Sequence, residues 1–111
     1  MSTRLFLRLG DDDRDTLCQL IYPASRPWRP LSATEIILYD RAGREAAAAR
    51  LAIPCSGSRL WRYHELFDAA TRARAGTGAY AMVRDKTCRL FGYHGLIAAG
   101  GAFSLDHMFG F

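Results

Sequence analysis

Cysteine, histidine and methionine side chains are the ones in this chain able to hold a transition metal or attack an electrophile. They are Cys55, His64, Cys88, His94, His107 and Met108. Two histidines, a cysteine and a weak methionine would make a blue-copper ligand set. The spacing opposes it. Cys88 and His94 are separated by Arg-Leu-Phe-Gly-Tyr, which reads as strand. Six residues of strand extend roughly 20 Å, so the two share neither an ion nor a catalytic dyad unless Gly92 breaks the strand. No Cys-x-x-Cys or His-x-His element is present. Neither a metal nor a cofactor is therefore expected. Cys55, His64, His94 and His107 remain the positions on which a small metal-binding protein or enzyme would be built.

Other chemistries are weaker still. Cys55 stands in Pro54-Cys55-Ser56-Gly57, a turn that can expose a thiol, with His64 or His107 as the base the fold would have to deliver. Ser56 and Ser58 have no Gly-x-Ser-x-Gly elbow around them. Gly76-Thr77-Gly78 and Gly100-Gly101 lack the lysine and following helix of a phosphate loop. Arg59, Trp61, Arg62, Tyr63 and His64 interleave bases with rings, as single-strand platforms do. Yet Lys86 is the only lysine and no basic run exists, so nucleic acid is not an expected partner.

A contact surface is the stronger reading. Phe103, Phe109 and Phe111 fall in the last nine residues, where chains are usually polar and frayed. Such an end either completes the core as a last strand or packs against another chain. Trp28 sits in the proline-flanked Arg26-Pro27-Trp28-Arg29-Pro30. Aromatics and arginine dominate binding hot spots, so Trp28, Arg59, Trp61, Phe109 and Phe111 are the candidate partner-binding residues.

These residues must be positioned by a small fold. The chain has 111 residues and a mass of 12.4 kDa, which suits one domain over 1–111. Apolar residues make up 50% and charged ones 23%, which is ordinary globular composition and argues against a disordered tail. Residues 1–40 carry five basic and six acidic groups, whereas residues 41–111 carry ten and five. That asymmetry permits an acidic partner. No stretch reaches the ~20 apolar residues that span a bilayer, and the charged N-terminus does not read as a signal peptide. Three cysteines at wide spacing then imply reduced thiols in the cytoplasm, with no disulfide.

Period-two alternation dominates the pattern. Leu5, Leu7 and Leu9 oppose Arg4, Phe6 and Arg8. Strands are predicted over 16–22, 34–40, 59–64, 79–84 and 88–95, with a short helix over 65–73. Residues 45–52 contain four consecutive alanines and favour a helix by propensity. They come after the turn Asp40-Arg41-Ala42-Gly43, though, and a helix there would leave 34–40 unpaired, so they are read as strand. The sum is about seven strands over 3–95, one helix before the sixth strand, and a tail over 96–111.

That order suits an all-β, antiparallel sandwich. Gly76-Thr77-Gly78-Ala79-Tyr80 resembles the approach to the sixth strand of immunoglobulin-like folds, where a tyrosine closes a corner through a hydrogen bond. The resemblance implies architecture and no activity. Cys18 has no cysteine partner on the sixth strand, where Met82 stands, and no tryptophan lies on the third. The expected function is a small non-catalytic binding or assembly module, partnered by another protein or a second copy.

Overall fold

The computed structural model describes residues 2–10, 14–24 and 29–98, and the backbone of 103–107 and 109–110. Strict alternation builds β1 (Thr3–Arg8): Thr3, Leu5 and Leu7 are buried while Arg4, Phe6 and Arg8 are exposed. After it, the chain turns at Gly10, where a Cβ would run into the carbonyl of Arg14. The Gly10 N–H donates to Thr16 Oγ1 at 2.6 Å, which tethers the start of β2 (Arg14–Tyr22).

β3 (Thr34–Tyr39) and β4 (Glu45–Leu51) form a hairpin. Gly43 turns it at φ +85°. The Asp40 carboxyl accepts N–H groups from Arg44 and Ala42, each at 2.9 Å, and these bonds hold its pKa below the usual carboxylate range. The closed turn delivers residues 45–51 beside β3. The four alanines are thus strand, because pairing outweighs helix propensity of a few tenths of a kcal/mol per residue.

β5 (Gly57–Arg62) is succeeded by two short helices, α1 (Tyr63–Leu66) and α2 (Ala69–Ala75). Asp68 caps α2 by accepting the Thr71 N–H at 2.8 Å. Then come β6 (Tyr80–Asp85), β7 (Phe91–Ala98), β8 (Phe103–His107) and β9 (Phe109–Gly110). The predicted single helix over 65–73 is therefore two. The strand expected over 59–64 starts and ends two residues earlier, with Tyr63 and His64 in α1. The strand expected over 88–95 begins at Phe91, because Asp85 Oδ1 ties the Thr87 and Cys88 N–H groups into the preceding turn.

All strand pairs are antiparallel and form two sheets, ordered β4-β3-β6-β1-β9 and β5-β2-β7-β8. The fold is all-β and sandwich-like. The backbone of the expected tail belongs to it: β8 extends the four-stranded sheet, and β9 pairs with β1 in the other. Two pairings, β2 with β5 and β3 with β6, match the immunoglobulin arrangement. Three others among the first seven strands do not. β4 lies beside β3, β1 beside β6 and β7 beside β2, where that arrangement puts the fourth strand beside the fifth, the first beside the second and the seventh beside the sixth.

Between the sheets one apolar cluster joins Leu5, Leu7, Ile36, Leu38, Ala81 and Val83 to Cys18, Leu20, Tyr22 and Trp61, with Phe67 and Ala75 brought in by the helical segment. The corner expected at Tyr80 is absent among the described residues. Tyr80 stacks on Tyr39 instead, with ring centres 5.1 Å apart and planes 17° from parallel. Tyr22 makes the analogous clamp: its hydroxyl donates to the Arg29 carbonyl at 2.8 Å and accepts the Arg29 N–H at 2.7 Å.

Candidate functional site

The four-stranded sheet sends Thr16, Cys18, Leu20 and Tyr22 of β2 into the core. Alternation turns Leu17, Gln19 and Ile21 to its outer face. Cross-strand register sets Ser58 and Phe91 on either side of Ile21, and Leu60 and Tyr93 on either side of Gln19. Leu60 is 57% exposed and Phe91 55%. Gly95 stands opposite Leu17 and adds no side chain there. At one end of this face Asp15 accepts Arg62 Nε at 3.1 Å and the His64 N–H at 3.0 Å. That ion pair fixes the junction of β5 with α1 and neutralises its own charge. The central rows of the face are apolar or uncharged.

The candidate partner-binding residues are distributed unevenly. Arg59 is exposed on β5, which ends its sheet. Trp61, two residues on, is only 4% exposed and packs in the core, so it contributes no outer surface. This also removes the aromatic platform considered over 59–64. Phe109 lies in β9 opposite Phe6 by backbone register. Trp28 and Phe111 lie outside the described residues.

The thiols and imidazoles do not assemble as a reactive pair. Cys55 precedes β5 and His64 comes after it, so a strand of roughly 20 Å separates them. His94 stands opposite Cys18, a neighbour that sequence spacing could not reveal, since 76 residues separate the two. A thiol beside an imidazole is activated when its pKa falls. Here burial pushes Cys18 up to about 12, against the opposing pull of the nearby Trp61 indole. Cys18 thus stays a neutral thiol. His107 lies in β8 opposite Tyr93 by backbone register. Among the described residues no three of His, Cys, Asp and Glu gather as a metal-ligating group.

A second thiol environment surrounds Tyr22. Its hydroxyl lies beside the Cys88 sulfur, and that contact, with burial, raises its pKa; Cys55 adds a smaller push. Cys88 is 2% exposed, whereas Cys55 is half-buried. None of the three cysteines is in a disulfide. Alkylation of native protein at pH 8 is expected to modify Cys55 first. Cys18 and Cys88, both buried, should react only on unfolding. For Cys18 the thiolate is scarce as well: at a pKa of about 12 it is roughly one part in ten thousand at that pH. Mass spectrometry over a time course checks the order. Cys18 reacting as fast as Cys55 would contradict its placement. The raised pKa also has a stability consequence. The contribution is complete below the ordinary thiol value of 9.0 and is lost as pH climbs toward about 12, because unfolding then releases the proton.

Sequence reasoning missed Leu60 and Phe91. Leu60-Trp61 and Leu90-Phe91 are adjacent apolar pairs, and alternation demands that one member of each face outward without saying which. No helix among the described residues is long and apolar enough to cross a membrane. Comparison with known proteins finds no matching family model, no matching curated protein and no matching solved structure, so the site is read from its own geometry.

Proposed function

We propose that the chain is a small non-catalytic binding or assembly module. Its docking surface is the outer face of β5, β2 and β7, and its partner is another protein or a second copy. One observation carries this reading: Leu60 and Phe91, each more than half exposed, share one sheet face with an uncharged centre. Covering the exposed part of each would contribute on the order of 1 kcal/mol, together about a factor of thirty in an equilibrium. Arg59 is exposed on the edge strand β5 in register with the core-facing Leu20, so it lies beside this face and not on it. The different neighbours of β1, β4 and β7 relative to immunoglobulin-like domains make the fold a variant of that arrangement in this reading. Three unbridged cysteines suit a reducing cytoplasm.

The test is the double variant Leu60→Glu, Phe91→Glu. Both side chains are exposed, so its melting should stay within about 1 kcal/mol of the parent. Sedimentation over a concentration series, and retention of a partner from the native cell, should both fall by at least tenfold. A parent chain that is monomeric at every concentration and retains nothing would overturn the reading. So would a double variant that still associates.

A further inference from the structure

β5 ends the four-stranded sheet, and among the described residues no strand borders its free edge. Ser58, Arg59 and Leu60 are exposed in succession. A half-buried strand hides every second residue. Arg59 stands opposite the buried Leu20, on the core side of the sheet, and is exposed all the same. The core therefore stops short of this edge, and the edge is open from both faces. Sheet edges are commonly guarded by proline, lysine or a bulge. β5 contains neither proline nor lysine, and its register with β2 runs unbroken from Gly57 to Arg62.

The direction of its backbone groups follows from Tyr22, whose carbonyl accepts the Ser56 N–H at 2.7 Å. At Tyr22, then, β2 turns its polar groups toward β5. Antiparallel strands alternate in this respect, so Leu20 and Cys18 turn the same way, and Arg59 and Trp61 answer them across the ladder. The N–H and C=O groups of Ser58, Leu60 and Arg62 are left pointing out of the sheet, into the open edge.

We propose that this edge pairs with the same edge of a second copy, antiparallel about a two-fold axis at Leu60. The two four-stranded sheets then run on as one. The inference rests on the docking reading above and names the partner as a second copy. A two-fold axis keeps the outer faces of both copies on one side, so the register must be centred on a residue. Centred on Leu60, it sets Leu60 against Leu60, and Ser58 against Arg62 on either side. All the outward-pointing groups then pair, in about six hydrogen bonds, the exposed leucines cover each other, and no two charges face. Centred on Arg59, two guanidinium groups stand directly opposed. Centred on Trp61, Leu60 meets Arg62 and a pair of bonds is lost. Arg59 thus disfavours the wrong register and lies opposite Trp61 in the right one.

Sedimentation of the full chain over a concentration series should show a dimer. Ser58→Pro removes an N–H that points out of the edge, where proline is tolerated, and leaves Leu60 and Phe91 in place. It should fold like the parent and weaken the dimer at least tenfold. Leu60→Glu, which opposes two carboxylates, should do the same without Phe91→Glu. Leu60→Cys reads the register directly, because paired residues stand about 5.5 Å apart at Cα, within disulfide reach. Oxidised glutathione should link two copies through position 60, located by peptide mapping, whereas Phe91→Cys should not link. This measurement decides the matter should Ser58→Pro fold poorly. A parent that is monomeric at every concentration overturns the pairing, even if it retains another protein and so keeps its docking face. Association that ignores Ser58→Pro, needs Phe91 as much as Leu60 and gives no link at position 60 also overturns it; the faces would then pack on each other, and the docking reading would stand.

Discussion

Replacing Asp85 by alanine is expected to lower the unfolding free energy by about 4 kcal/mol, the largest loss from any polar residue among those described. The reason is the number of groups it serves while 1% exposed. Its Oδ1 accepts the N–H groups of Thr87 and Cys88, at 2.7 and 2.9 Å, and the Thr87 hydroxyl at 2.8 Å. Its Oδ2 accepts the Thr34 hydroxyl at 2.9 Å. Thr34 lies 2.7 Å from the Ser32 hydroxyl, which in turn accepts the Ile53 N–H at 3.0 Å. The chain of bonds joins β3, the end of β6 and the segment after β4. Alanine would strand several of these donors without water, each at about 1–3 kcal/mol, partly relieved by relaxation. For a domain of 5–15 kcal/mol that is a large fraction, equivalent to roughly 15–25 °C in melting temperature. Asp85→Asn keeps one acceptor oxygen and should lose about half as much. Urea unfolding of the two variants checks both values. An alanine variant within about 1 kcal/mol of the parent would mean that the buried network does not hold the turn.

That network is not legible in the sequence, and the reason is distance along the chain. Thr34 and Asp85 are 51 residues apart, and nothing local marks either as buried. Local features are readable. The alternation of β1 appears directly in which residues are buried, whereas in β3 the consecutive Ile36, Ile37 and Leu38 are all covered. The alanines of β4 are legible as strand because the Asp40 turn constrains the segment after it, whatever their propensity. Alternation cannot supply which strands become neighbours. β1 and β6 each read as strands, yet their pairing, and that of β7 with β2, is settled by how two sheets close over one core. The same gap hides the division of the tail between sheets and the meeting of Cys18 with His94. The candidate site suffers most. Ring chemistry singles out Trp61 as a contact residue, and nothing in the sequence singles out Leu60 beside it.

Trp61→Ala is expected to cost about 4 kcal/mol, whereas Leu60→Glu, one residue earlier, should leave melting nearly unchanged. The contrast comes from the two faces of β5. Trp61 is 4% exposed and stands opposite Cys18, so truncating it opens a cavity between the sheets. Leu60 stands opposite Gln19 on the outer face and leaves no hole. A third substitution separates packing from hydrogen bonding. The buried indole N–H has no hydrogen-bond partner among the described residues; it lies near enough to Cys18 to pull the thiol pKa down against burial, yet short of hydrogen-bond geometry. Trp61→Phe therefore gives up no satisfied bond and relieves a desolvated donor, so its cost should be confined to the smaller ring, about 1 kcal/mol. Thermal and urea melts of the three variants read all of this in one series. If Trp61→Ala melts with the parent, the indole is not part of the core and the rings of residues 59–64 return as an outer surface. If Trp61→Phe costs as much as alanine, the indole N–H is making a bond to sulfur that the geometry understates. The expected order, alanine far below phenylalanine and Leu60→Glu level with the parent, places the energetic role of β5 in Trp61 and its surface role in the residue before it.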